Sequence, residues 1–309
     1  MWGVFIVLVL SLLVLDLGVF HKKDHEIGIK ESLWTSAFYI FMAVLFGLWI
    51  WYIKGLDSFA EYITGFLVEK SLALDNIFLI SLIFSSLSIP LMYQHRVLFW
   101  GILGVIVLRA IMIGLGVHII TRFEWVLYIF GAFMIFTGIK MFFVSSAPVD
   151  IAQNPLLIWM RKHLNITQTL HNQKFWILEK DPTSGKKKFF VTPLLVALVM
   201  VEFIDLVFAV DSIPAIFAIT QDPYVIYTSN IFAILGLRAL YFALAVIIKR
   251  FYYLQHALAA VLIFIGSKIF IADLMNMGKI PPLLSLSVTF GLLATGVVFS
   301  YIKEKRSGP

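Results

Sequence analysis

Five carboxylates interrupt two of the most apolar stretches of this chain. The stretches read LVEKSLALDNIFLI (Leu67–Ile80) and VEFIDLVFAVDSIPAIF (Val201–Phe217). An ionisable group near a bilayer centre costs roughly 2.5–3.5 kcal/mol, so five uncompensated acids would cost on the order of 10 kcal/mol. Acids kept against that cost line a polar path or bind a cation. Counted with their polar neighbours, the candidate ligands are Glu69, Asp75, Asn76, Glu202, Asp205, Asp211 and Ser212, all oxygen donors. Carboxylate, amide and hydroxyl oxygens suit hard divalent ions such as Mg²⁺, Ca²⁺ and Mn²⁺. The chain has no cysteine, so thiolate metal sites, disulfides and thiol nucleophiles are excluded. Transport of a positively charged substrate is the leading reading, with the metal as cargo and no resident cofactor.

The spacing limits how these acids can cooperate. Glu69 and Asp75 are six residues apart, as are Asp205 and Asp211. On a straight helix that is about 9 Å of rise and about 120° of rotation, too much for both acids of one segment to hold one ion. Pro214 removes the hydrogen bond to the Val210 carbonyl, so a helix break is expected beside Asp211. Glu202 and Asp205 share a face at i,i+3. Arg109, Arg238 and Lys268 fall well inside apolar segments, where their expected role is to balance the acids as buried ion pairs. Lys70, next to Glu69, is a further candidate.

The elements that position these residues are membrane helices. Of the 309 residues 61% are hydrophobic and 14% charged, with a mean hydropathy of +0.96, whereas a soluble domain is about half apolar and a quarter charged. About 20 apolar residues cross a bilayer. The expectation is an all-α polytopic membrane protein of about nine spans: 2–20, 33–53, 62–87, 97–120, 124–144, 192–219, 226–248, 255–275 and 281–302. The first segment lacks the basic start and small-residue cleavage site of a signal peptide. With the N-terminus outside, Arg96, Arg161, Lys162, Lys174, Lys186, Lys187, Lys188, Lys249, Arg250 and the basic tail all fall inside. The outer loops then hold only Lys54, Arg122 and Lys279. This bias sets a cytoplasmic C-terminus, and the net charge of +6 reflects lipid and topology rather than nucleic acid. Residues 145–191 form the long inner loop. Pro155–Asn165 has the spacing of an amphipathic surface helix, and Lys174–Phe190 reads as a hairpin around Asp181–Gly185.

The acidic segments belong to an internal repeat. EKSLALDN (Glu69–Asn76) aligns with DLVFAVDS (Asp205–Ser212), LGVIVLRAI (Leu103–Ile111) with ILGLRAL (Ile234–Leu240), and IFTGIKMF (Ile135–Phe142) with IFIGSKIF (Ile263–Phe270). Arg109 thus pairs with Arg238 and Lys140 with Lys268. Each unit has three spans, so the second copy is inverted, and such repeats place a substrate site near the midplane between them. The expected organisation is N-terminal helices over 1–61, a first repeat over 62–144, the cytosolic loop over 145–191, an inverted repeat over 192–275, and a last helix with basic tail over 276–309.

At EKSLALDNIF and VEFIDLVFAVDSIPAIFAIT, continuing through TSNIFAILGLRALYF, the chain resembles the TerC family of integral membrane proteins over most of residues 60–275. The resemblance implies a multi-pass protein of a bacterial-type inner membrane, or a relative in a plastid membrane, and export of Mn²⁺, with a link to tellurite resistance. It is this likeness that selects manganese, since oxygen ligands alone leave Mg²⁺ and Ca²⁺ open. Alternating access, with protons exchanged at the carboxylates, is the expected mechanism. Two alternatives are a transporter of small organic cations or amino acids, and a membrane assembly factor acting through the 145–191 loop. An enzyme is not expected: the chain shows no nucleophile–base constellation, phosphate loop or cofactor fingerprint.

Overall fold

In the computed structural model, the residues described are 1–15, 29–123, 125–143, 154–167, 169–180, 187–237, 239–242, 253–275 and 280–307. They form the helices α1 (Trp2–Leu15), α2 (Ile29–Lys54), α3 (Leu56–Ser86), α4 (Leu91–Arg122), α5 (Val126–Phe143), α6 (Pro155–His163), α7 (Pro193–Ile219), α8 (Pro223–Leu235), α9 (Leu254–Leu274) and α10 (Pro282–Ser307), with a two-stranded hairpin, β1 (Trp176–Lys180) and β2 (Lys187–Val191). Six of these, α2, α4, α5, α7, α9 and α10, are long and apolar enough to cross a membrane, and α1 and α8 are shorter apolar helices. A polytopic all-α membrane protein follows. α3 has the length, at 31 residues, but Glu61, Glu69, Lys70 and Asp75 interrupt its apolar surface.

Local chemistry sets the boundaries. Gly55, at φ 92°, is the one residue between α2 and α3, a left-handed conformation that a side chain would resist. α7 and α8 both open on proline, whose missing N–H is no loss in a first turn. Asp222 caps α8 by accepting from the Tyr224 N–H at 2.9 Å, and Asn154 caps α6 through the Leu156 N–H at 2.9 Å.

Two expectations about helix continuity are corrected. α7 runs unbroken through Pro214 to Ile219. The neighbours Ile213, Ala215, Ile216 and Phe217 are all buried, and packing on that scale outweighs one missing backbone bond. α8, expected to be continuous over 226–248, instead ends at Leu235. The helical path resumes past Gly236, where the Leu240 N–H donates to the Gly236 carbonyl at 3.1 Å.

The helices pack reciprocally. α3 lies against α7 and α8, α4 against α7 and α8, and α5 against α9. At the α5–α9 seam the approach is too close for side chains: a Cβ on Gly138 would lie 2.7 Å from the Ala259 carbonyl, and one on Gly266 would lie 2.6 Å from that of Gly131. Small residues let membrane helices come this near.

The described parts of the 145–191 segment dock against the end of the bundle where α3 finishes and α4 and α7 start. Leu157 and Met160 of α6, Phe175 and Val191 join one buried cluster with Phe84, Ile89, Val97 and Leu194. The antiparallel register pairs Trp176 with Val191 and Lys180 with Lys187. Ile166 adds a parallel bridge to Val191, and Arg96 donates to Gln173 Oε1 at 2.9 Å. The hairpin turn, 181–186, and Asp16, expected near the inner end of the first span, lie outside the described residues.

Candidate cation site

The site forms where α3, α4, α7 and α8 meet, around Arg109. This arginine is 2% exposed. Its Nε and Nη2 donate to Asp205 Oδ2 and Oδ1, each at 3.1 Å. Nη1 donates to Glu69 Oε1, to Ser212 Oγ at 3.2 Å and to Asn230 Oδ1 at 3.2 Å. Asn230 Nδ2 in turn donates to Glu69 Oε2 at 3.1 Å, and Asn76 Nδ2 reaches Asp205 Oδ1 at 3.4 Å. One guanidinium therefore joins Glu69 and Asp205, the two acids that the sequence alignment pairs, and four helices are tied through it. Planar, bidentate geometry of this kind is what arginine offers and lysine does not.

Of the residues singled out in the sequence, Glu69, Asn76, Asp205, Ser212 and Arg109 come together here. Glu202 stands one turn before Asp205 on α7, over Gly104 of α4; a Cβ on Gly104 would lie 2.0 Å from Glu202 Oε1. Among the described residues its buried Oε2 has no hydrogen-bond partner, and neither has Asn76 Oδ1. Asp75 and Asp211 lie on α3 and α7, with their side chains outside the described set, and Arg238 lies outside it altogether. Lys268 of α9 is buried and donates to Ser285 Oγ of α10 at 3.3 Å. Lys70 does not join the acid cluster among the described residues. Its Nζ donates to the Ala233 carbonyl at 3.2 Å, in space that a Cβ on Gly236 would invade at 2.6 Å. Lys140 and His118 are exposed.

Beside the cluster is a small cavity of about 30 Å³, lined by residues that include Asn76, Gly101, Ile102, Val105, Asp205 and Tyr241. A single water needs at least ~10–15 Å³ on this measure, so the space holds one or two water-sized species. Tyr241, one of its lining residues, donates its hydroxyl to Gln94 Oε1 at 2.9 Å. Among the described residues no three His, Asp or Glu side chains come close enough to cage a metal. Any ion held there would use the cluster's carboxylates with amide oxygen and water, an arrangement hard cations accept.

Asn230, the glycines Gly101 and Gly104, and the Gly236 break escaped the sequence reading. The polar triplet Thr228–Asn230 inside an apolar helix was the available signal for Asn230. Nothing in one sequence marks a glycine as facing a carboxylate.

The fold and site define a multi-pass membrane protein with a buried charged cluster at the meeting of four helices. The chain belongs to the integral membrane protein TerC family, whose pattern matches residues 54–308. It is 52% identical over 303 residues to a membrane protein of Rickettsia bellii, covering 98% of this chain and 97% of that one. Over 307 residues it is 46% identical to a membrane protein of Myxococcus xanthus, covering 99% and 93%. It is also 41% identical over 322 residues, covering 100% and 97%, to a protein of Escherichia coli K12 named "Putative membrane-bound redox modulator Alx". No solved structure matches the chain.

Proposed function

We propose that this protein is a transporter exporting a divalent cation, Mn²⁺ by family expectation, across a bacterial-type inner membrane by alternating access. The observation that carries this reading is the conjunction of buried acids with a cavity of about 30 Å³ bordered by Asn76 and Asp205 where four helices meet. Glu69 and Asp205 leave one formal negative charge after Arg109 is counted, and Glu202 adds another. That is a suitable field for a hard dication. An organic amine would need a larger chamber than this cavity.

Two inverted units are supported by matching contacts at positions that the sequence pairs. Gly138 matches Gly266 in the repeat, and Ala259 matches Gly131; the Gly138–Ala259 and Gly266–Gly131 approaches have the same form. The packing of α3 on α8 is likewise mirrored by that of α4 on α7. An inside location of the hairpin end is supported by its exposed Arg161, Lys162, Lys174 and Lys188.

On this reading Arg109 acts as a tethered cation that holds the acids until an ion displaces part of its bonding, and released protons are exchanged for metal. A redox role through thiols is not open to a chain without cysteine. The test is Mn²⁺ uptake into everted membrane vesicles with a pH-sensitive dye inside. Wild-type protein should load Mn²⁺ with counterflow of protons, and Asp205→Asn, Asp75→Asn and Asp211→Asn should each abolish loading. Wild-type rates in all three variants would remove these acids from the mechanism.

A further inference from the structure

Helix α8 breaks off part-way through the membrane, and a lysine of another helix meets its end. α8 opens at Asp222, which caps it and pairs with the partly exposed Lys54. Its 13 residues cover about 20 Å, well short of the ~30 Å apolar core of a bilayer. Its last turn therefore lies inside that core. Lys70 arrives at a similar depth on α3, halfway along a helix of 31 residues. Its Nζ donates to the Ala233 carbonyl at 3.2 Å. Gly236 leaves it room, since a Cβ there would lie 2.6 Å from Nζ. Neighbouring Glu69 is already bonded at both oxygens, by Arg109 and by Asn230. Asn230 and Ala233 share a face of α8 at i,i+3. α3 is thus joined to α8 at two successive points, an acid on an amide and an ammonium on a carbonyl.

The last carbonyls of a helix carry partial negative charge, which a cation offsets. Transporters built on inverted repeats use such broken helix ends within the membrane to hold a coupling cation. Here an amine of the chain itself stands at that place. We propose that Lys70 fills a coupling-cation site at the broken end of α8, as a tethered substitute for a free monovalent ion such as Na⁺. The joint between α8 and the helical path beyond Gly236 is then held without sodium, and export is independent of it. Removing the side chain opens the site: the Ala233 carbonyl is left as an acceptor beside the space that the ammonium had filled. This inference rests on the cation-transport reading and adds to it a second cation position, apart from the acids around Arg109.

The experiment uses full-length protein, with Mn²⁺ flux measured in proteoliposomes and melting temperature in detergent. Each is done in choline, sodium or potassium chloride at equal ionic strength. Wild type should move Mn²⁺ at one rate and melt at one temperature in all three salts. Lys70→Ala should lose flux tenfold or more in choline and return to within threefold of wild type in Na⁺ or K⁺. Its melting temperature should rise with the concentration of the restoring ion, as binding to the folded state requires. Lys70→Gln keeps a hydrogen-bond donor and fills the space without charge, so it should stay slow in every salt. Salt-independent melting of Lys70→Ala with unrestored flux overturns the proposal, as does a Na⁺ requirement in the wild type. Should Lys70→Ala fail to fold in all three salts, Lys70→Gln decides, and flux at the wild-type rate in that variant overturns the proposal. Wild-type protein that moves no Mn²⁺ overturns the transport reading instead, and the ion dependence of melting in Lys70→Ala still tests the site.

Discussion

Arg109 faces Glu69 and Asp205 from within a bundle that gives it 2% exposure, so the triad stands or falls as a unit. Removing the guanidinium leaves two carboxylates buried without a counter-charge, a loss of about 3–5 kcal/mol. Arg109→Ala should therefore unfold at a distinctly lower temperature in detergent. Arg109→Lys should recover only part of the loss, since a point charge cannot span both acids. The triple change Arg109→Ala with Glu69→Gln and Asp205→Asn should melt above Arg109→Ala alone, because neutral amides are cheaper to bury than orphaned charges. Identical melting of the single and triple variants would show that the ion pairs are not what holds the cluster. Glu202 gives a second residue-scale prediction. Its carboxylate fills the notch at Gly104, and a long side chain can swing away, so Gly104→Ala should fold normally. Displacing Glu202 from beside Asp205 should slow Mn²⁺ flux several-fold, and flux at the wild-type rate would exclude Glu202 from the path.

Helices α5 and α9 meet through paired glycines, and there the cost of a side chain falls on backbone atoms that cannot move aside. Gly138→Ala and Gly266→Ala should each destabilise by about 1–3 kcal/mol, the usual cost of overpacking, seen as a drop in melting temperature. Because the two positions see the same kind of carbonyl at 2.7 and 2.6 Å, their effects should be similar. Gly291 on α10 has nothing within 4 Å of its Cβ position. Gly291→Ala should thus leave stability unchanged or raise it slightly through helix propensity. A large loss at Gly291 and none at Gly266 would mean that the seam is packed differently. The unbroken course of α7 through Pro214 belongs to this scale too. Proline's local cost was legible in the chain, but the burial of Ile213, Ala215, Ile216 and Phe217 was not.

For the whole molecule, orientation is open to a direct check because the native chain has no cysteine. Asp57→Cys, at the start of α3, should react with a membrane-impermeant maleimide in intact cells. Thr169→Cys, beside the docked hairpin, should react only after permeabilisation; the reverse pattern would invert the topology. The docked segment also has a packing role, since Leu157 and Met160 are 1% and 2% exposed. Leu157→Asp with Met160→Asp should lower the melting temperature, whereas deleting residues from 181–186 should leave Mn²⁺ flux unchanged.

The sequence by itself determined the membrane class and singled out most of the charged residues that the structure brings together, because a charge among apolar residues carries a cost that composition alone reveals. Sequence also aligned Glu69 with Asp205 and Gly138 with Gly266, since the two segments preserve the same spacing. Only the tertiary structure decided that Glu69 and Asp205 share one arginine and that α8 breaks at Gly236 beside Lys70. It alone placed a cavity next to Gly101. Those outcomes depend on which residues of separate helices face each other across a few ångströms, and the order of residues along any one helix does not contain that information.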